Sequence, residues 1–379
     1  MPVVKRRGQS GIRVLVIAPP RASAGGQAVQ ADRLLDALEA QEGIDVDYLP
    51  SPPTLPLVLR PLQRLRFLRT AVNAIAMQAK LLARIRRVAV VHVFTAAHSA
   101  FLWVPLPALV AARLWGRKSV LNYRDGRAED HLRDWRSARV LLGLADELVA
   151  NSPYLVDVFA RHGLRARAIF NIIDPSAFRY RPRTRLKPAF LHNRGMEPLY
   201  NIPCTLRAFQ LVQRRYPEAT LTLAHDGPDR AALEDMAGAL RLRNVRFVGR
   251  VSQESMKDLY DRADIYWMSP NVDCMPGSIL ECYASGIPAI ATRVGGIPYI
   301  LFHEHTGLLV EPNDHEAMAR SAFRLLEEEG LAARLTSNAR LELRKYEAAR
   351  IGAKWATLYR ELTGLAPSSA KKKEITSAR

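Results

Sequence analysis

Cysteine is scarce in this chain: Cys204, Cys274 and Cys282 are the only three among 379 residues. An odd count without metal-like spacing argues against a disulfide scaffold and points to a reducing compartment. Acidic residues are missing over a long stretch. None lies between Asp47 and Asp125, where Arg60, Arg64, Arg66, Arg69, Lys80, Arg84, Arg86, Arg87, Arg113, Arg117, Lys118 and Arg124 all occur. A membrane-spanning run is also lacking. Residues 88–112 carry no charge and are long enough to cross a bilayer, but His92, His98, Pro105 and Pro107 interrupt them. They read instead as a buried strand, 88–94, and a following helix, 101–114, with the prolines in its opening. The polar, basic start and the short apolar segment 13–20 do not make a secretory signal.

What is present fits two globular domains of ordinary size: 48% of residues are hydrophobic and 24% charged. The net charge of +18 suggests an anionic partner, because its positive residues cluster in one segment. Within that segment Leu65, Leu68, Val72, Ile75, Ala79 and Leu82 recur at helical spacing. A basic amphipathic helix over roughly 57–90 reads as a docking element for an anionic membrane surface. The plainer alternative is a core-facing helix with a solvated basic face. Nucleic acid is not expected as a partner, since no zinc-finger, RNP-like or helix-turn-helix signature is present.

Apolar runs alternate with helical stretches along the chain. Strands are expected at 13–18, 45–49, 88–94, 119–122 and Glu147–Ala150, with a helix at 29–39. A Pro- and Arg-rich stretch, 174–188, reads as a linker. The second half repeats the alternation with Ala189–His192, Thr220–Ala224, Val245–Gly249, Ile265–Met268, Ala289–Thr292 and 307–310. Continuous apolar strands separated by helices mean parallel sheets covered on both faces. Ligands bind such sheets at the carboxyl ends of the strands, which places a site in the cleft between two domains. The boundaries expected are 1–182 for the first domain, 183–345 for the second and a disordered basic tail at 365–379.

The segment 271–298, NVDCMPGSILECYASGIPAIATRVGGIP, is the most informative. Asp273 precedes a helix opened by Pro276 and Gly277, and Glu281 lies eight residues after Asp273 on that helix. Free N–H groups and the helix dipole at such a start suit a phosphate. The two acids would take sugar and ribose hydroxyls. Ser278 and Glu281 also match a Ser-x-x-Glu capping box, which needs no ligand. Both readings of that pair stand at this point. Gly25 and Gly26, after the first strand, form a tight turn through which backbone N–H groups could approach a phosphate or an acceptor.

Asp273, Glu281, Gly286, Pro288, Thr292, Gly295 and Gly296 fall in register with a known pattern. The chain resembles the retaining glycosyltransferases of family four over residues 12–362. That resemblance implies an α/β fold, the GT-B arrangement of two Rossmann-like domains facing each other across a cleft, with the last helix (346–364) crossing back onto the first domain. It also implies a nucleotide-diphosphate-sugar donor, a glycan or lipid-linked acceptor, and neither cofactor nor metal. Arg194 would grip the departing diphosphate, with Asp273 and Glu281 on donor hydroxyls. Gly25, Gly26, Met275, Pro276, Gly277 and Ser278 would bind the donor. Gly249 and Arg250 would hold the base, and Asp125 would orient an acceptor hydroxyl. His225-Asp226-Gly227-Pro228 matches the family's Gly-x-Gly-Pro turn and reads as structural.

Three positions depart from the pattern. Tyr200 stands where a lysine is usual, Arg124 where a histidine is usual on the acceptor side, and Asp273 where the usual acid is glutamate. Arg250 or Arg293 could replace the charge missing at Tyr200. The expected function is sugar transfer in cell-surface glycan synthesis, in the cytoplasm and peripheral to the inner face of the membrane. The alternative is a catalytically degenerate relative acting as a nucleotide-sugar-binding or scaffold protein. An epimerase on the same fold is a third, weaker reading.

Overall fold

The computed structural model describes residues 11–21, 25–53, 66–95 and 100–365. Its first sheet contains β1 (Ile12–Ala18), β2 (Ile44–Pro50), β3 (Val90–Thr95), β4 (Lys118–Tyr123), β5 (Glu147–Ala150) and β6 (Arg167–Ala168), in the order β2-β1-β3-β4-β5-β6. The second contains β7 (Ala189–His192), β8 (Thr220–Ala224), β9 (Val245–Gly249), β10 (Ile265–Met268), β11 (Ala289–Thr292) and β12 (Leu308–Val310), in the order β12-β11-β10-β7-β8-β9. Every strand pair is parallel. The inner strands β3 and β10 are buried along their whole length, which is why they read as unbroken apolar runs. The edge strand β9 alternates between half-buried and exposed positions instead. The short edge strand β6, Arg-Ala, has no apolar run and was not expected from the sequence.

The chain reverses direction of strand addition between β1 and β3 in one sheet and between β7 and β10 in the other. Crevices form at such points, outside the carboxyl ends of the strands. The segments leaving β1, β7 and β10 carry Gly25–Gly26, Arg194 and Asp273 respectively.

The stretch expected as a linker is pinned to the second domain. Arg183 is buried and donates to the carbonyls of Ala263 (2.8 Å), Tyr260 (3.0 Å) and Ser285 (2.6 Å), while Arg181 pairs with Asp264 at 2.6 Å. The final helix, Ala348–Thr363, lies against the Gly26–Glu39 helix of the first domain. Gly352 permits this contact, because a Cβ there would sit 2.8 Å from the Ala37 carbonyl oxygen. Trp355 stacks on His92 with ring centroids 4.5 Å apart, and the Tyr359 hydroxyl lies 2.7 Å from His92 Nδ1. Asn122 Nδ2 donates to His92 Nε2 at 3.1 Å, so a neutral imidazole has both nitrogens satisfied. Burial, reinforced by the Arg124 charge, lowers the His92 pKa to about 3. Where the last helix starts, Ile173 N–H donates to the Tyr346 carbonyl at 3.0 Å, tying together the two points where the chain passes between domains.

Residues 88–112 fold as β3 and two helices, Ala100–Trp103 and Pro105–Leu114, the break coming where Pro105 opens the second. The basic helix spans Arg66–Ile85. Residues 57–65 of the expected docking segment lie outside the described residues, as do 366–379 of the expected tail. The helix turns Met77, Leu81 and Ile85 into the first-domain core. The stripe picked out by its spacing faces outward: Ile75 is 70% exposed and Leu82 44%. The helix is thus core-facing, as the plainer alternative held, but through Met77, Leu81 and Ile85, while Ile75, Ala79 and Leu82 of the expected stripe are exposed. Among the described residues no helix is long and apolar enough to cross a membrane.

Candidate functional site

The two domains enclose a cleft of about 580 Å³ at the carboxyl ends of their strands. Its walls bring together Gly25, Gly26, Arg124 and Asp125 from the first domain with Arg194, Tyr200, Asp273, Met275, Pro276, Gly277, Ser278 and Glu281 from the second.

The pair at its base is Arg194 and Asp273, whose Nη2 and Oδ2 lie 2.5 Å apart. The Arg194 guanidinium also lies over the Tyr200 ring, 4.5 Å from its centroid. Burial works against the Arg194 charge, but Asp273 and the neighbouring tyrosines outweigh it and hold the pKa above the ordinary arginine value. Burial likewise lifts Asp273, and Arg194 with the N–H groups of Cys274 and Met275 opposes that rise. The short contact marks an ion pair. The loop carrying Asp273 is braced from below by Gly295 and Gly296. Gly296 N–H donates to the Asp273 carbonyl at 2.8 Å, and a Cβ on Gly296 would fall 1.7 Å from the Cys274 oxygen. Those glycines serve packing under the site.

The Gly277–Ser285 helix opens toward the cleft, with Pro276 at its N-cap and no side-chain cap. This overturns the capping-box reading of Ser278 and Glu281. Glu281 instead accepts from the Tyr260 hydroxyl at 2.7 Å and approaches Arg33 of the first domain at 3.9 Å. The helix start keeps its N–H groups for a ligand.

On the facing wall Gly25 caps the Gly26–Glu39 helix at φ +114°, a conformation that glycine tolerates, and both glycines are exposed to the cleft. Asp125 is committed to Arg127, with contacts of 3.0 Å and 3.2 Å to its guanidinium. Arg124 extends under the loops and is only 9% exposed. It donates to Asn171 Oδ1, and Asn171 Nδ2 donates in turn to the Met275 carbonyl at 2.9 Å. The Cys274 side chain of the second domain is seated in the core of the first.

Gly249 and Arg250, expected to hold the base, are not among the residues that line this cleft. They end the edge strand β9, where Gly249 accepts from His225 N–H at 2.8 Å and Arg250 points to solvent. Arg293 is no substitute cation either, because it is exposed and pairs with Glu311 at 3.1 Å. His225 itself lines the cleft at φ +116°, strained for a non-glycine residue, so the turn read as structural also forms part of the wall. Arg33, Gln27 and Asn171 were missed. Arg33 sits one turn beyond Val29 on an otherwise ordinary helix, and only the packing of one domain on the other reveals its direction. Among the described residues no cluster of three or more His, Cys, Asp or Glu side chains is arranged to hold a metal ion.

Residues 187–342 match the family model described as "Glycosyl transferases group 1". The chain is similar to N-acetyl-alpha-D-glucosaminyl L-malate synthase of Bacillus anthracis, 26% identical over 204 residues, which make up 51% of this chain and 53% of that protein. The match thus spans about half the length of this relative. In fold it is similar to the Anabaena protein HepE in complex with UDP, at TM-score 0.73 and 16% identity over 92% of this chain and 100% of that one. It is also similar to sucrose-phosphate synthase from Thermosynechococcus elongatus, at TM-score 0.74 and 20% identity over 93% of this chain and 99% of that one. These likenesses establish the fold as two Rossmann-like domains in the GT-B arrangement.

Proposed function

We propose, from a chain whose second domain belongs to the group 1 glycosyltransferases, that it moves a sugar from a nucleoside-diphosphate-sugar to an acceptor, retaining anomeric configuration without a metal ion. The observation that carries this is the meeting of Arg194, Glu281 and an uncapped helix start on one wall of the cleft. The diphosphate meets the N–H groups of Gly277 and Ser278, and Arg194 stabilises the negative charge that grows on it as the sugar departs. Glu281, oriented by Tyr260, accepts from hydroxyls of the donor. Neither acid is placed as a nucleophile: Asp273 is neutralised by Arg194, and Glu281 already holds Tyr260 and faces Arg33. Front-face attack, with the departing phosphate taking the acceptor proton, needs no such pair of carboxylates.

The test is thermal unfolding of the wild type and Glu281→Gln against UDP-, GDP-, ADP- and dTDP-sugars. A donor at about a hundred times its Kd adds about 2.7 kcal/mol, a rise of about 3 °C for a protein this size. One nucleotide class should raise the wild type and leave Glu281→Gln largely unmoved. Absence of any rise would replace this reading by that of a degenerate scaffold protein, which Tyr200 and Arg124 otherwise suggest. A wild-type shift and turnover in Glu281→Gln would remove the role given to Glu281 alone.

A peripheral place on the inner face of an anionic membrane, with a glycan or lipid-linked acceptor from cell-surface synthesis, belongs to the same proposal. The outward Ile75 and Leu82 on this helix, the exposed Arg86 and Arg87 just past its end, and the exposed Leu114 (74%) supply apolar and basic contacts for it. The protein should co-sediment with vesicles containing anionic lipid. Ile75→Asp with Leu82→Asp should abolish that binding while leaving donor-induced stabilisation intact; undiminished sedimentation of the double variant would refute the surface.

A further inference from the structure

One charge in the cleft has no counterpart. Arg124 leaves β4 into the cleft wall almost fully buried. Its guanidinium reaches Asn122 Oδ1 at 3.5 Å and Asn171 Oδ1, and lies 5.2 Å from the centre of the Phe94 ring. Both oxygens are neutral amides, and among the described residues no carboxylate lies within ion-pair distance of it. The other cations on these walls differ. Arg194 pairs with Asp273, Arg127 with Asp125, and Arg33 faces Glu281. A buried charge is costly unless it is balanced. Burial brings the Arg124 pKa down to about 10, which still leaves it charged at neutral pH.

We propose that Arg124 binds an anionic oxygen group of the substrates. This rests on the glycosyl-transfer reading above. Two amide oxygens hold the guanidinium, which leaves donors beyond these two bonds in a residue that lines the cleft. Asn171 fixes it relative to the Met275 carbonyl, so the cation comes into place only when the two domains are together. The anion is the diphosphate of the donor or a carboxylate on a sugar. Both present the same charged oxygens to an arginine.

The experiment measures the affinities of UDP, inorganic pyrophosphate and glucuronate for the full-length wild type, Arg124→Lys, Arg124→Met and Arg124→Gln. Loss of a charged hydrogen bond should weaken the recognised probe by about tenfold or more in the Met and Gln variants. The Lys variant should stay within a few-fold of wild type. Parallel loss on UDP and pyrophosphate identifies the diphosphate, whereas loss on glucuronate alone identifies a sugar carboxylate. Wild-type affinity for all three probes in a folded Met or Gln variant overturns the proposal, as does a wild type that binds none of them. Arg124-dependent binding of pyrophosphate without any binding of UDP would leave the anion site standing and remove the uridine-nucleotide donor.

Discussion

Arg194→Met should lower kcat for sugar transfer by about 10²–10³, the cost typical of removing one preorganised group that stabilises transition-state charge. The side chain lies at the end of β7, braced by Asp273 on one side and the Tyr200 ring on the other, so it is held in place before any substrate arrives. Its loss has a second effect. Asp273 is 8% exposed and would become a buried carboxylate without its cation, a change that destabilises by about 3–5 kcal/mol. The two effects separate in a double variant. Arg194→Met with Asp273→Asn should recover much of the lost stability and none of the lost turnover. Melting curves and steady-state kinetics on the wild type and the two variants decide the matter. If Arg194→Met keeps kcat within about threefold of wild type, Arg194 acts only as a structural partner of Asp273.

Trp355→Ala should destabilise by about 3–5 kcal/mol, read as a shift in the urea midpoint. Trp355 is 1% exposed and packs from the last helix onto the first domain, face to face with His92. Removing the indole leaves a cavity beside a neutral imidazole whose two hydrogen bonds run to Tyr359 and Asn122. The surroundings are inner-strand and helix side chains with little freedom to collapse, which puts the loss at the high end for a core truncation. A loss below about 1 kcal/mol would mean that the helix is held by its polar contacts, among them Arg167 to Glu361 at 2.8 Å and Arg360 to the Glu42 carbonyl at 2.8 Å.

The inner strands were legible because burial on both faces leaves no room for polar residues. Ile265–Met268, bounded by Asp264 and Pro270, could be read to the residue. β6 could not, since a two-residue edge strand is set by its neighbour's backbone and by nothing in its own side chains. The helix at 66–85 was found, but its core face of Met77, Leu81 and Ile85 was not. Periodicity reports that apolar residues share a side, and in a helix with two apolar sides it does not say which one the core takes. At the site, Asp273 and Glu281 were legible from spacing within one segment. Whether Ser278 capped its helix was not, because a capping box and a ligand-facing helix start share the same letters. Arg33 and Asn171 were invisible for a further reason. Each acts on a group from the other domain, Glu281 and Met275, and sequence distance carries no trace of that proximity.

The hydrogen bond between Ile173 and Tyr346 joins the two passages of the chain between its halves. The peptide crosses between the halves twice, and at that bond the outgoing and returning segments lie side by side. With Arg181 and Arg183 fastening the outgoing segment to the second half and Trp355 fastening the returning helix to the first, neither crossing has slack. Two crossings at one place make that place the pivot for a change of angle between the halves. Any change in the angle between the halves would part Arg33 from Glu281, Asn171 from Met275 and Cys274 from the first domain's core together.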